Sequence, residues 1–246
     1  MLKKVGDRLT LVGVAHVLPK STADVRAIIE RERPEIVAVE LCSNRYFALT
    51  KGGPQLGATD ALRLGQLRPF ILNKLFHAIQ NKFARRTGVF VGEEMLAAIE
   101  YAKKAGARVE LIDRDIILTL QRLNYLMSRR EKTRLFGELL IGILPFGGER
   151  INVEKLTEAQ VTASLISALK QASPTIYKVL IEERDEFMAI RIASLLVSSK
   201  GKIVCVVGAG HVPGLYHRLI SQLEGGWQAR IEYPLEISGA PSQDFD

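Results

Sequence analysis

The sequence predicts an α/β fold, with a central, mostly parallel sheet, helices on both of its faces and helical insertions over its carboxyl edge. Short runs rich in Val, Ile and Leu recur along the chain without polar alternation, which is typical of strands buried on both faces. Amphipathic stretches separate these runs, and strands that alternate with helices favour right-handed parallel crossovers. The chain has 246 residues, 47% of them hydrophobic, which is enough to bury one large core.

The strands are predicted from short segments rich in β-branched residues and bounded by turn residues. The main predicted strands are Leu9–Gly13, Ile36–Glu40, Arg108–Asp113 and Ile203–Gly208, and Trp227–Tyr233 is predicted to close an edge of the sheet. The main strands do not alternate cleanly between apolar and polar residues, so we expect both of their faces to be covered.

Helices are predicted between the strands from their start and stop signals. The first begins at a hydroxyl N-cap and ends before a proline. The second opens with two glutamates, which suit the positive end of the helix dipole, and ends at a glycine. The predicted helices run from Ser21 or Thr22 to about Arg33, from Gly92 to Lys104, from about Ile116 to Arg134, from near Asn152 or Thr157, and onwards from Pro174.

Residues 1–246 are predicted to form one domain. Two helical insertions, at about residues 50–90 and 135–200, are predicted to cover the carboxyl edge of the sheet as a lid does. The sequence has no stretch rich in Gly, Ser or Pro that would mark a domain boundary.

The formal net charge of +7 is unevenly distributed along the chain. Residues 61–92 contain six Lys and Arg side chains and no acidic residue. Such a segment can contact nucleic acid, an anionic membrane surface or an acidic substrate, or it can be the solvated face of a helix. We expect no nucleic acid partner.

Several features bear on where the protein acts. No apolar run reaches the roughly 18–20 residues that a membrane span needs, and the first residues lack the apolar segment of a signal peptide. Cys42 and Cys205 lie in or beside strand patterns and are predicted to be reduced core thiols. We therefore expect a cytoplasmic protein, or one at the cytoplasmic face of a membrane if the full-length protein has a C-terminal membrane region.

Each main strand is predicted to end in, or just before, an ionisable side chain, and these are His16, Glu40, Asp113 and His211. The carboxyl ends of parallel strands share one edge of a sheet, so we expect the four side chains to converge. The two histidines, of four in the chain, each follow a glycine-ended apolar run. Such a pair suggests a metal site or an acid/base pair, whereas a single strand-end histidine can simply make a structural hydrogen bond.

Further charged residues lie close to these strand ends in the sequence. They are Arg45, Glu94, Arg114, Arg184 and Asp185. Arginines beside carboxylates can hold a substrate carboxylate or stabilise an oxyanion. The alternative interpretation is that they form ordinary surface ion pairs on helices.

Taken together, the motifs resemble those of the TraB/PrgY family of pheromone-shutdown proteins, which is related to the Tiki and GumN proteins. The matching segments are Gly13-Val-Ala-His16, Val39-Glu-Leu-Cys-Ser-Asn-Arg45, Gly92-Glu-Glu-Met95, Ile112-Asp-Arg-Asp115, Glu183-Arg-Asp185 and Gly208-Ala-Gly-His211. They follow the family's order and span nearly the whole chain. The resemblance implies a fold similar to the erythromycin esterase and ChaN-like α/β proteins.

The resemblance also implies a site. Tiki proteins are metal-dependent proteases that use Mn²⁺ or Co²⁺, and their two Gly-x-x-His motifs and glutamate match His16, His211 and Glu40, which are therefore the expected metal ligands. Zn²⁺ also suits such ligands. In this scheme Glu94 is a further ligand or the general base. The arginines Arg45, Arg114 and Arg184 bind the substrate carboxylate or the oxyanion, and Asp113 and Asp185 orient them.

The predicted function is therefore that of a metal-dependent hydrolase, a peptidase acting on short or unfolded peptides such as pheromones. The alternative function is a protein that sequesters a peptide without cleaving it. Contact with a membrane surface is a separate prediction, compatible with either function. Either protein would have a peptide as its partner, and a homodimer is also predicted.

Overall fold

A computed structural model describes residues 1–14, 20–51, 93–140 and 158–224. Its strands are β1 (Leu2–Val5), β2 (Leu9–Val14), β3 (Ile36–Val39), β4 (Arg108–Leu111) and β5 (Ile203–Gly208). They form one sheet in the order β1-β2-β5-β3-β4. Strand β1 is antiparallel to β2, and every other pair is parallel. The mostly parallel sheet predicted from the sequence is thus confirmed.

Four of these strands match the predicted segments to within two residues, but β1 was not predicted. Its residues Leu2, Lys3 and Lys4 are exposed because β1 is an edge strand, so its sequence lacks the apolar pattern of the inner strands. The predicted edge strand Trp227–Tyr233 lies outside the described residues, as does the insertion predicted at about residues 50–90 apart from its first two residues, which belong to α2.

The helices are α1 (Lys20–Glu32), α2 (Ser43–Lys51), α3 (Glu93–Lys104), α4 (Ile116–Leu126), α5 (Arg129–Leu140), α6 (Glu158–Ala172), α7 (Pro174–Tyr177), α8 (Glu183–Ser198) and α9 (Val212–Glu224). A π-helical turn, Lys178–Glu182, joins α7 to α8. The residues that flank this turn have right-handed helical backbone angles, so residues 174–198 form one continuous helix with a π-turn inside it.

Two apolar clusters cover the faces of the sheet. Helices α1 and α3 pack on one face, where Val204 and Val206 of β5 point. Helices α8 and α9 pack on the other face, where Cys205 and Val207 point. Both sides of β5 are therefore buried, which explains why its sequence does not alternate. Cys42 and Cys205 are buried and unbridged, and burial raises the pKa of both thiols.

The prediction of a single helix from about Ile116 to Arg134 is wrong, because the chain forms α4 and α5 with a break at Met127 and Ser128. A reciprocal capping interaction begins α5. The Glu131 amide donates to Ser128 Oγ at 3.2 Å, and the Ser128 amide donates to Glu131 Oε2 at 2.8 Å. The Ser-x-x-Glu pattern was present in the sequence and marks this start.

Within the described ranges, the structure has no helix that is both long enough and apolar enough to cross a bilayer.

Candidate functional site

Backbone pairing brings three of the predicted strand-end residues to the same edge of the sheet. The Glu40 amide donates to Val206 O on β5 at 3.0 Å, and the Asp113 amide donates to Leu41 O at 3.2 Å. His211 follows β5, where its own amide donates to Gly208 O at 2.9 Å. Glu40, Asp113 and His211 are all buried. The parallel register of β3, β4 and β5 therefore brings side chains from three separate motifs together in one cluster.

Arg184, in the first turn of α8, lies between the two carboxylates of this cluster. Its Nε and Nη2 donate to Asp113 Oδ1 and Oδ2 at 2.9 and 2.8 Å, which is a bidentate pair. Its Nη2 also donates to Glu40 Oε1. Burial disfavours the charged guanidinium, but Asp113 and Glu40 outweigh it and raise the pKa of Arg184. Arg184 is therefore a largely buried cation held by two anions.

The π-turn before α8 supplies backbone acceptors for the arginines of this region. In a π-turn the hydrogen bonds run from residue i to i+5, so the carbonyl pattern of the α-helix is interrupted. Leu180 O accepts from Arg184 Nη1 at 3.1 Å, and Glu182 O accepts from Arg218 Nη2 at 3.3 Å. Val179 O lies 3.4 Å from Arg114 Nη2 as a further acceptor. The turn thus helps to fix the side chain of Arg184 at the edge of the sheet.

The imidazole of His211 is held on both of its nitrogens. Nδ1 lies 2.6 Å from Asp185 Oδ1. Nε2 lies 3.3 Å from Glu40 Oε1 and 3.1 Å from Arg184 Nη1. Burial and Arg184 oppose the charged imidazolium, but the carboxylates of Glu40 and Asp185 prevail and raise the pKa of His211 to about 9. Nε2 of His211 therefore lies within reach of both a hydrogen-bond acceptor, Glu40 Oε1, and a hydrogen-bond donor, Arg184 Nη1.

Both carboxylate oxygens of Glu40 are held by neighbouring groups. Its Oε2 accepts from the Gly208 amide at 2.6 Å, while its Oε1 faces Arg184 and His211. Burial alone would raise the pKa of this carboxyl, but His211 and Arg184 together hold it well below its usual range. Glu40 is thus an ionised carboxylate with a partner on each oxygen.

Asp185 reaches His211 through a space that Gly214 leaves open. Gly214 lies in the first turn of α9, and a Cβ added there would overlap Asp185 Oδ2. Glycine weakens a helix interior, so its presence here is explained by this close approach rather than by helix propensity. The sequence signal for this role is a glycine inside the amphipathic pattern of α9.

Replacing Gly214 with alanine is expected to lower the free energy of unfolding by about 1–3 kcal/mol, the usual cost of overpacking a buried site. Denaturant unfolding measures this change. Gly210→Ala is the matched control, because the atom nearest to its added Cβ would be Ile166 Cδ1 at 2.9 Å, the end of a flexible side chain, and the next atoms lie at 3.7 Å. Equal losses in the two variants would contradict the proposed fit of Asp185 against Gly214.

The remaining predicted site residues lie around this cluster. Arg45 Nη1 is 3.8 Å from Asp113 Oδ2, and the Arg45 side chain is 22% exposed. Arg114 instead binds Glu183 Oε2 at 3.1 Å and Thr119 Oγ1 at 3.1 Å, away from the central carboxylates. Glu94 is buried in the first turn of α3. His16 lies outside the described residues, so its predicted role remains a prediction.

Two of the three expected metal ligands, Glu40 and His211, are among the described residues, and their arrangement around Arg184 does not fit a metal ion. The oxygen of Glu40 and the nitrogen of His211 that would bind it both contact Arg184, and the second His211 nitrogen contacts Asp185. Within the described ranges, no group of three or more His, Cys, Asp or Glu side chains is arranged to hold a metal. The cation that these atoms bind is the guanidinium of Arg184.

A family model described as TraB/PrgY/gumN matches residues 1–226 of the chain. The chain belongs to this family. The resemblance seen in the motifs is therefore confirmed. The cluster of Glu40, Asp113, Arg184, Asp185 and His211 is drawn from four of the segments that carried the resemblance, and it lies within the matched residues.

Related sequences are found in Methanocaldococcus jannaschii and Homo sapiens. An archaeal relative, "Uncharacterized protein MJ1365" of Methanocaldococcus jannaschii, is 39% identical over 220 residues, covering 88% of this chain and 54% of its own. The human "TraB domain-containing protein" is 26% identical over 235 residues, covering 85% of this chain and 62% of its own. The chain thus spans little more than half the length of these relatives.

Among solved structures, the chain is similar to one titled "Cofacial heme binding to ChaN of Campylobacter jejuni". The match has a TM-score of 0.38 and 11% identity, and it covers 88% of this chain and 76% of that one. The α/β fold assignment depends on the sheet itself rather than on this similarity.

Proposed function

We propose that this TraB/PrgY/gumN chain is a hydrolase of short or unfolded peptides in which His211 transfers protons. The observation that carries the proposal is the Asp185–His211 pair, 2.6 Å apart, buried at the carboxyl edge of the sheet. A carboxylate that holds one imidazole nitrogen fixes the tautomer and directs the other nitrogen at the reaction.

Both protonation states of His211 have a partner at Nε2. The neutral ring, with its proton on Nδ1, accepts from Arg184 Nη1 at 3.1 Å. The protonated ring donates to Glu40 Oε1 at 3.3 Å. A general acid must hold and release a proton at little cost, and this arrangement favours that exchange. In the hydrolysis we propose, the oxygen of a water molecule bonds to the peptide carbonyl carbon as the C–N bond breaks. His211 protonates the leaving amine, and its ring regains a proton from the attacking water.

Among the predicted arginines, Arg45 is the one that we assign to the substrate. All three nitrogens of the Arg184 guanidinium already have partners among the described residues, and Arg114 is paired with Glu183. Arg45 is more exposed than Arg184 and has a longer ion pair to Asp113. A guanidinium in that position can bind a substrate carboxylate or a developing oxyanion. No step is assigned to Mn²⁺, Co²⁺ or Zn²⁺.

The test is a peptide-cleavage screen, with products identified by mass spectrometry. Replacing His211 with glutamine or Asp185 with asparagine is expected to slow cleavage by about 10²-fold or more, the usual contribution of a general acid or base. The exposed His217, on α9, provides the matched control, since His217→Gln leaves the cluster intact. Equal rates in wild type and His211→Gln would refute the assignment. Stable peptide binding without product would favour sequestration instead.

A further inference from the structure

We propose that Arg184 is the resident cation of this site, and that a divalent metal ion can take its position only when the guanidinium is absent. The observation is the disagreement between the metal expected from the sequence and the guanidinium found among its ligands. This inference concerns binding alone and does not depend on the proposed hydrolase activity.

The side chains around Arg184 are of types that bind metal ions, although within the described ranges they are not arranged as a metal site. Its terminal nitrogens contact Asp113 Oδ2 at 2.8 Å, His211 Nε2 at 3.1 Å and Glu40 Oε1. Two carboxylate oxygens and one imidazole nitrogen are ligands that suit Mn²⁺, Fe²⁺ and Zn²⁺. In this structure the same three atoms surround a guanidinium, which supplies positive charge and several hydrogen bonds but no coordination bond.

Charge and space make the two cations mutually exclusive. Arginine cannot lose its proton under ordinary conditions, so its positive charge would repel a metal ion placed within a few ångströms. The side chain of Arg184 is also only 14% exposed, which leaves it little freedom to withdraw towards solvent.

The helix that carries Arg184 holds the guanidinium in place. Arg184 Nη1 donates to Leu180 O at 3.1 Å, so the π-turn supplies a further contact. Met188 and Ile192, farther along α8, belong to the apolar cluster on the sheet. The cation is therefore anchored by a packed helix rather than by a loop.

The test measures Mn²⁺ binding by electron paramagnetic resonance and equilibrium dialysis on the whole chain. We expect wild type to show no saturable binding at the cluster, and Arg184→Met to bind about one Mn²⁺ through the three freed ligands. The double variant Arg184→Met/Glu40→Gln should lose this binding. Arg184→Lys, which keeps a cation, should not gain it. Arg191→Met is the matched control, because Arg191 is an exposed arginine on the same helix.

Two results would overturn the inference. One is stoichiometric Mn²⁺ binding by wild type that His211→Gln abolishes, because the metal would then share the site with Arg184. The other is a folded Arg184→Met variant that binds no Mn²⁺. If this variant folds only when Mn²⁺ is present, the metal has replaced the missing cation and the inference is supported. If it folds under neither condition, the wild-type measurement decides.

Discussion

Replacing Arg184 with methionine in metal-free buffer is expected to lower the free energy of unfolding by about 3–5 kcal/mol, the usual cost of removing one partner from a buried ion pair. The substitution keeps most of the aliphatic volume but removes the donors that hold Asp113 and Glu40. Both carboxylates would then be buried with less positive charge nearby. Urea denaturation at neutral pH, with a chelator present, measures the loss.

Two further variants make this prediction specific. Arg191→Met, on the exposed side of α8, should change the stability by less than about 0.5 kcal/mol. Adding Asp113→Asn to Arg184→Met should recover part of the loss, because one of the two uncompensated charges is removed. If Arg184→Met were as stable as wild type, Arg184 would not be neutralising the buried carboxylates.

The stability of the wild-type chain is expected to fall by about 3 kcal/mol as the pH rises from about 6.5 to above 9, at 1.36 kcal/mol per pKa unit. The pKa of His211 in the folded chain is about 9, above its usual value of 6.5. A raised histidine pKa stabilises the fold fully below the unfolded pKa, and this contribution is lost as the pH rises through the folded pKa. Denaturant unfolding at a series of pH values measures the decrease.

The same series on two variants assigns the pH dependence. His211→Asn should lose this component of the slope, whereas His217→Asn, at an exposed position on α9, should keep it. A wild-type profile that stayed flat from pH 6.5 to 9 would mean that His211 does not gain net stabilisation from Glu40 and Asp185. The lowered pKa of Glu40 affects stability at acid pH. The ionised carboxylate stabilises the fold, and this stabilisation is lost as the pH falls below the usual carboxyl range.

The convergence of Glu40, Asp113 and His211 could be predicted from the sequence because it depends on strand order and direction alone. Parallel strands bring their carboxyl ends to one edge whatever the rest of the chain does. Arg184 and Asp185 were found through their motif. Their partners could not be predicted, because these depend on where α8 packs and how far its first turn is rotated about the helix axis.

The features that the sequence predictions missed have identifiable structural causes. Strand β1 was missed because an exposed edge strand with Lys3 and Lys4 has the composition of a loop. The break between α4 and α5 was missed although Ser128 and Glu131 form a readable capping box. The fit of Asp185 against Gly214 joins residues far apart in the chain, so the glycine within the pattern of α9 indicates a close approach there but not which residue approaches it.

The π-turn at Lys178–Glu182 makes the site sensitive to chain length as well as to composition. Each residue of an α-helix turns the chain by about 100°, and a π-turn accommodates one extra residue without ending the helix. Deleting a single residue there, with α8 still packed on the sheet, would restore an uninterrupted α-helix and rotate α7 relative to α8. The carbonyl of Leu180 would then face another direction and could no longer accept from Arg184. A family alignment should therefore treat a one-residue gap in this segment as a change to the site, even where every charged residue of the cluster is retained.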